Sequence, residues 1–258
     1  MLINRLIKKF IHNDIYFHIQ VQQIKKIISP IVKNRDVFLV GSGPNFNLAL
    51  YQENMQIICI NGSPAQPLLK DIKSPTITFF DNELLNLTVN KTKASRSEII
   101  HGKLLKNLDL GVVVTTQSNS FSGGPIDQLE AIWTNHLSTD KKFRKSLCKH
   151  LRLQPNLEQS PTGILSTGGF ALAFLTFFGA KSISMSGFTL YQSPYKDDSE
   201  KFYKIKPIEQ KFSTNANKKD SRSHSLSDSN LISSLVLMGY KIDSQDSDLL
   251  PILHNWGV

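Results

Sequence analysis

Short runs rich in apolar and β-branched residues, each stopped by a turn and followed by enough chain for a crossover, constrain this chain most. Val37-Phe-Leu-Val40 runs into Gly41-Ser-Gly-Pro44, Gln56–Ile60 into Asn61-Gly62, and Thr76–Phe80 into Asp81. Gly111–Thr115 and Ser182–Met185 repeat the pattern, the last ending in Ser186-Gly187. Strands buried on both faces need such continuous runs, whereas a strand with one wet face alternates. Helices are expected at Phe46–Glu53, Pro64–Asp71, Ser95–Asn107, Pro125–His136, Thr167–Gly179 and Ser225–Met238, with a short strand at Tyr240–Ile242 and a final segment around Leu249–Trp256. Strand and helix in alternation predict an α/β fold with a doubly wound, mostly parallel sheet: a single Rossmann-like nucleotide-binding domain.

The 258 residues show no internal repeat and divide into two parts. Residues 1–35 form an amphipathic helical segment in which Leu2, Ile3, Leu6, Ile7, Phe10 and Ile11 recur at helical spacing between basic residues. Such a face is expected to pack on the domain's flank or on a partner subunit, with an anionic membrane surface as the alternative. Residues 36–258 form the main domain. Within it, 192–223 is polar, rich in Ser, Lys, Asp and Asn, and without periodicity, which predicts a lid. No run reaches the roughly 18 apolar residues that span a bilayer, so a cytoplasmic protein is expected, at most peripheral on the inner membrane face.

Charge narrows the partners. A formal net charge of +9 favours anions such as nucleotides or acidic glycans. The basic residues are scattered and lack interleaved aromatic rings, so no nucleic acid is expected. The two cysteines, Cys59 and Cys148, have no ligand spacing and are read as free thiols.

In an open α/β sheet, ligands gather beyond the carboxyl ends of the strands. Four groups fall there. Gly41, Ser42 and Gly43 let backbone N–H groups approach a phosphate or ribose. Asn61 has an amide that can donate and accept, or it simply makes a turn with Gly62. Asp81 reaches a ribose hydroxyl or caps the next helix. Ser166, Thr167 and Gly168 open an apolar helix, either as an anion site or as an ordinary N-cap. Beyond Ser186, Gly187 and Phe188 lead to Tyr191 and Tyr195, which can bond a departing phosphate or anchor the loop. His224, with Asp228 four positions on, has the near-neutral pKa that deprotonating an acceptor hydroxyl requires. Asp246-Ser-Asp248 is the nearest thing to a metal-binding acidic pair, and it reads as a solvated turn, so no metal is expected.

Taken in order, these elements resemble the bacterial sialyltransferases of glycosyltransferase family 42 and, more distantly, the animal-type enzymes. Val37–Pro44 is similar to the family's opening strand and glycine turn, and Cys59-Ile-Asn61 to its second strand with a nucleotide-contacting Asn. Leu165-Ser-Thr-Gly168, the apolar helix, Gly179-Ala-Lys181 and Ser186-Gly187-Phe188 parallel its donor-binding block. Tyr191 and Tyr195 fall where the family has two phosphate-binding tyrosines, and His224-Ser225 where it has its catalytic base. Ser42 and Asp81 stand where Asn is usual, Ile164 where some members carry Arg, and the two tyrosines are closer together.

The resemblance implies a GT-A-like variant of the fold with no cofactor beyond its nucleotide-sugar substrate. It further implies inverting, metal-independent transfer of sialic acid or a related nonulosonic acid from a CMP-sugar to a cell-surface glycan, as in lipooligosaccharide biosynthesis. His224, Tyr191 and Tyr195 would be catalytic. Gly41, Ser42, Gly43, Asn61, Asp81, Ser166, Thr167, Gly168, Gly187 and Phe188 would hold the donor. The open alternatives are a CMP-Kdo transferase on the same scaffold and a non-catalytic nucleotide- or RNA-binding module. A homo-oligomer through the N-terminal helix is a further expectation.

Overall fold

A computed structural model describes residues 2–41, 43, 46–69, 71–81, 105–116, 130–153, 165–188, 218–246 and 249–254, with side chains placed from Asp14 in the first helix and from Ser227 in the helix that begins at Lys218. The apolar runs become β1 (Asp36–Val40), β2 (Gln56–Ile60), β3 (Ile77–Asp81), β4 (Val112–Thr116) and β6 (Ser182–Ser186). With β5 (Asn135–Thr139) and β7 (Ile242–Ser244) they form one seven-stranded sheet, ordered β5-β4-β3-β2-β1-β6-β7. Every pairing is parallel. From β1 the chain builds outward to β5, then crosses to the other side of β1 for β6 and β7. The order therefore reverses between β1 and β6.

Side-chain alternation divides the core. Val37, Leu39, Ile58, Ile60, Phe79 and Val114 belong to the large cluster shared with the helices, while Phe38, Val40, Ile57 and Cys59 enter a second one. On the helical side lie α1 (Leu2–Val32), α2 (Lys141–His150), α3 (Thr167–Phe177), α4 (Lys218–Leu237) and α5 (Leu250–His254). In α3 every residue from Gly169 to Thr176 is buried, which accounts for its nearly uniform apolar composition. From α1, Phe17, Ile24, Ile28 and Val32 are buried at helical spacing, so this stretch packs on the domain's flank, against α2 among others.

Three expected elements differ. Residues 46–55 are irregular rather than helical: the Asn47 side chain accepts from Ala49 N, a local turn that competes with helix, and Phe46 and Met55 cover the second cluster. Pro64–Asp71 is reduced to 3-10 turns at Ser63–Ala65 and Pro67–Leu69. His136, expected to end a helix, lies instead in β5, whose ladder with β4 overrides local propensity. The helix α2 was not expected. Asp140 caps it, accepting from Phe143 N at 2.7 Å, and Phe143, Arg144 and Leu147 form its buried stripe.

Candidate functional site at the sheet's switch point

The strand order reverses between β1 and β6, and the carboxyl ends of strands at such a switch point are the general ligand position in these sheets. Here that position is built of closely packed glycines. Gly41 N donates to Ser186 O and Gly43 N to Gly187 O, each at 2.8 Å. A Cβ on Gly41 would overlap the Gly187 carbonyl. Gly187 itself sits at φ +80°, where a side chain is strained, and a Cβ there would lie 2.8 Å from Gly41 O. The Phe188 ring fills the angle between this pair and the start of α3: a Cβ on Gly168 would come within 2.8 Å of its Cε1. Gly41, Gly43, Gly168, Gly187 and Phe188 are thus brought together from three distant parts of the sequence.

Buried polar side chains hold these turns. Ser63 Oγ donates to Val40 O at 2.9 Å and accepts from Ile60 N at 2.8 Å, tying the ends of β1 and β2. Gln66 Nε2 donates to Gly43 O at 3.4 Å. Asn47 N donates to Ser186 Oγ at 2.9 Å. Asp246 corrects the sequence reading. It is not a solvated turn residue but 2% exposed beside β7, and its carboxylate accepts from Gly187 N (3.3 Å) and Phe188 N (2.8 Å). The misreading arose because nothing local reveals that β7 returns to the sheet next to β6.

Asn61 and Asp81 meet further along the same edge. Asn61 adopts φ +52°, its N donates to Phe79 O at 2.7 Å, and its Oδ1 accepts from Asp81 N at 3.0 Å. Asn61 therefore makes a left-handed turn and also bridges β2 to β3. Its Nδ2 group is the part of the amide that bonds nothing else among the described residues. Asp81 lies within electrostatic reach of the buried Arg144 guanidinium of α2, which stands 6.0 Å over the Phe170 ring. Burial lowers the Arg144 pKa, and Asp81 and Asp140 oppose that shift.

At the start of α3, Ser166 is the N-cap, accepting from Gly169 N at 3.0 Å. Its hydroxyl also bonds the Asp228 carboxylate of α4, which accepts from Ser166 N at 3.2 Å as well. A Cβ on Gly169 would overlap the same carboxylate. The Asp228 carboxyl group thus occupies part of this helix start, beside the Thr167 and Gly168 N–H groups of the first turn. Burial pushes the Asp228 carboxyl up to about 7, against the two bonds from Ser166 that lower it. Sequence reasoning named Asp228 and Asp246 without these roles, Asp228 for its spacing from His224 and Asp246 as a turn.

The cysteines are buried or half-buried free thiols, pushed up to about 12 (Cys59) and about 11 (Cys148) by burial. The backbone of His224 lies in α4, which begins at Lys218, so residues 218–223 of the segment read as a lid are helical. The His224 side chain, Ser42, Ile164, Tyr191, Tyr195 and 192–217 lie outside the described residues and side chains. No described helix is long and apolar enough to cross a membrane.

A Rossmann-like, all-parallel α/β fold with closely packed glycines at its switch point is the class that this geometry defines. No protein-family model matches the chain, and no curated protein matches its sequence. Solved structures do match in fold. The sialyltransferase CstII from Campylobacter jejuni in complex with CMP-3FNeuAc superposes with TM-score 0.55 over 85% of each chain at 14% identity. CST-II with trisaccharide acceptor and CMP gives 0.53 over 85% of each chain at 15% identity. The monofunctional α-2,3-sialyltransferase Cst-I from C. jejuni gives 0.51 over 86% of this chain and 80% of its own, also at 15%.

Proposed function

We propose that this protein is a sialyltransferase-like glycosyltransferase that moves sialic acid, or a related nonulosonic acid, from a CMP-sugar to a glycan hydroxyl with inversion and without a metal. The convergence of Gly41, Gly168, Gly187 and Phe188 at the switch point carries this reading, on a fold shared with sialyltransferases solved with CMP and with CMP-3FNeuAc. Cytidylate would lie over the glycine turns, with ribose and base toward Asn61 and Asp81. Phosphate or sugar oxygens would meet Thr167 and the N–H groups of Thr167 and Gly168. In the transfer, the acceptor oxygen attacks the anomeric carbon as its bond to the phosphate oxygen breaks. His224 takes the acceptor proton, and the Tyr191 and Tyr195 hydroxyls donate to the phosphate as CMP leaves. Residues 192–217 would cover the donor and exclude water.

Ile15, Tyr16 and Ile19 are exposed on α1, which supports peripheral membrane contact through this helix. Unchanged cosedimentation of Ile15→Glu/Ile19→Glu protein with anionic vesicles would remove that role.

A thermal-shift titration with CMP, UDP, GDP and ATP tests the assignment, because a ligand that binds only the folded chain raises its melting temperature. CMP is expected to stabilise and the others not. Stabilisation by UDP or ATP alone overturns the reading, and turnover of CMP-Kdo but not CMP-Neu5Ac would change the sugar while keeping the nucleotide.

A further inference from the structure

Asp228 lies within α4 and is 5% exposed. It reaches across from α4 to α3, where it accepts from both Ser166 N and Ser166 Oγ. The fit is close, since Gly169 must lack a side chain to admit the carboxylate. Ser166 in turn caps α3 through Gly169 N. On α4, Asp228 follows His224 by four residues, one helical turn, so the two positions are about 6 Å apart along the axis. On α3, Ser166 immediately precedes Thr167 and Gly168, whose neighbour is Phe188 of the switch point. One buried carboxylate therefore joins the turn that carries the imidazole to the turn that faces the donor.

We propose that Asp228 is a positioning residue of the transfer reaction, setting the His224-bearing turn of α4 at a fixed distance from the donor site through Ser166. This inference rests on the sialyltransferase-like reading above. Its chemistry is geometric: a displacement of about 1 Å between base and acceptor costs on the order of 10²-fold in rate. A carboxylate buried merely to cap α3 would instead affect stability and donor binding together.

Full-length wild type, Asp228→Ala, Asp228→Asn and Ser166→Ala are compared by CMP thermal shift and by steady-state transfer. The expected result is a CMP affinity kept within about threefold in Asp228→Ala and Asp228→Asn, with kcat falling about 10- to 100-fold in Asp228→Ala and Ser166→Ala. Asp228→Asn, which keeps an acceptor for Ser166, should recover most of that loss. The double variant should be no worse than either single one, because both remove the same link. Unchanged kcat in folded Asp228→Ala overturns the inference, and so does a parallel loss of CMP affinity and kcat. Should Asp228→Ala not fold, Asp228→Ser carries the same two outcomes, with Asp228→Asn as the conservative control. Absence of CMP stabilisation in the wild type brings down the underlying reading, and this inference with it, and is distinguishable because it does not depend on any variant.

Discussion

Gly41 lies against the carbonyl of Gly187, so its Cα is a site where one methyl group must displace backbone. Gly41→Ala is expected to cost about 1–3 kcal/mol of stability, as overpacking does, and to weaken CMP binding more than a core change of equal cost elsewhere. Denaturant melts with and without CMP check this. His224→Ala should lose about 10²–10⁴ in kcat, the range for a general base, with donor affinity retained. Asp228 supplies a pH test. Burial raises its folded-state pKa to about 7, so between about pH 4 and 7 the folded chain holds a proton that the unfolded chain has released. Its contribution is complete below about pH 4 and is lost as pH rises through 7. Wild type should therefore lose stability relative to Asp228→Asn between pH 5 and pH 8. A stability difference between wild type and Asp228→Asn that stays constant from pH 5 to pH 8 would sink the assignment.

Helix α1 illustrates how an element's face can be legible while its role is not. Its spacing predicts an amphipathic helix, and Phe17, Ile24, Ile28 and Val32 are the stripe that reaches the core. Ile28→Ala, at a fully buried position, is expected to cost about 2–5 kcal/mol, showing that α1 is integral to the domain; a loss below about 0.5 kcal/mol in urea melts would make it an appendage. The strands were read within a residue or so of their observed bounds because each ends in a local turn signal; β1, β2 and β4 are nearly continuous apolar runs, while β6 alternates serine with apolar residues and still buries Ser184 and Ser186. The segments 46–53 and 130–136 were misread because their hydrophobic residues serve irregular chain and an edge strand, which periodicity does not distinguish over so few residues.

For the whole molecule, the +9 net charge predicts electrostatic steering of an anionic donor. Transfer kcat/KM should fall several-fold as salt rises from about 0.05 to about 0.5 M, through KM rather than kcat. An equal fall in kcat would place the effect on the chemistry instead. Activity is expected to survive EDTA, since the reading assigns leaving-group charge to Tyr191 and Tyr195; loss on chelation and recovery with a divalent cation would replace that role. The sequence by itself determined the buried strands, the glycine turns at their ends and hence the α/β class, because backbone burial and close approach demand particular residues locally. Only the tertiary structure decided that β6 lies beside β1, that Asp246 braces the resulting turn, and that Asp228 bridges α4 to α3. The two carboxylate contacts join residues about 60 positions apart and the β1–β6 pairing residues still farther apart, and partners at such separations are set by how the chain packs, leaving no periodicity or spacing in the sequence to announce them.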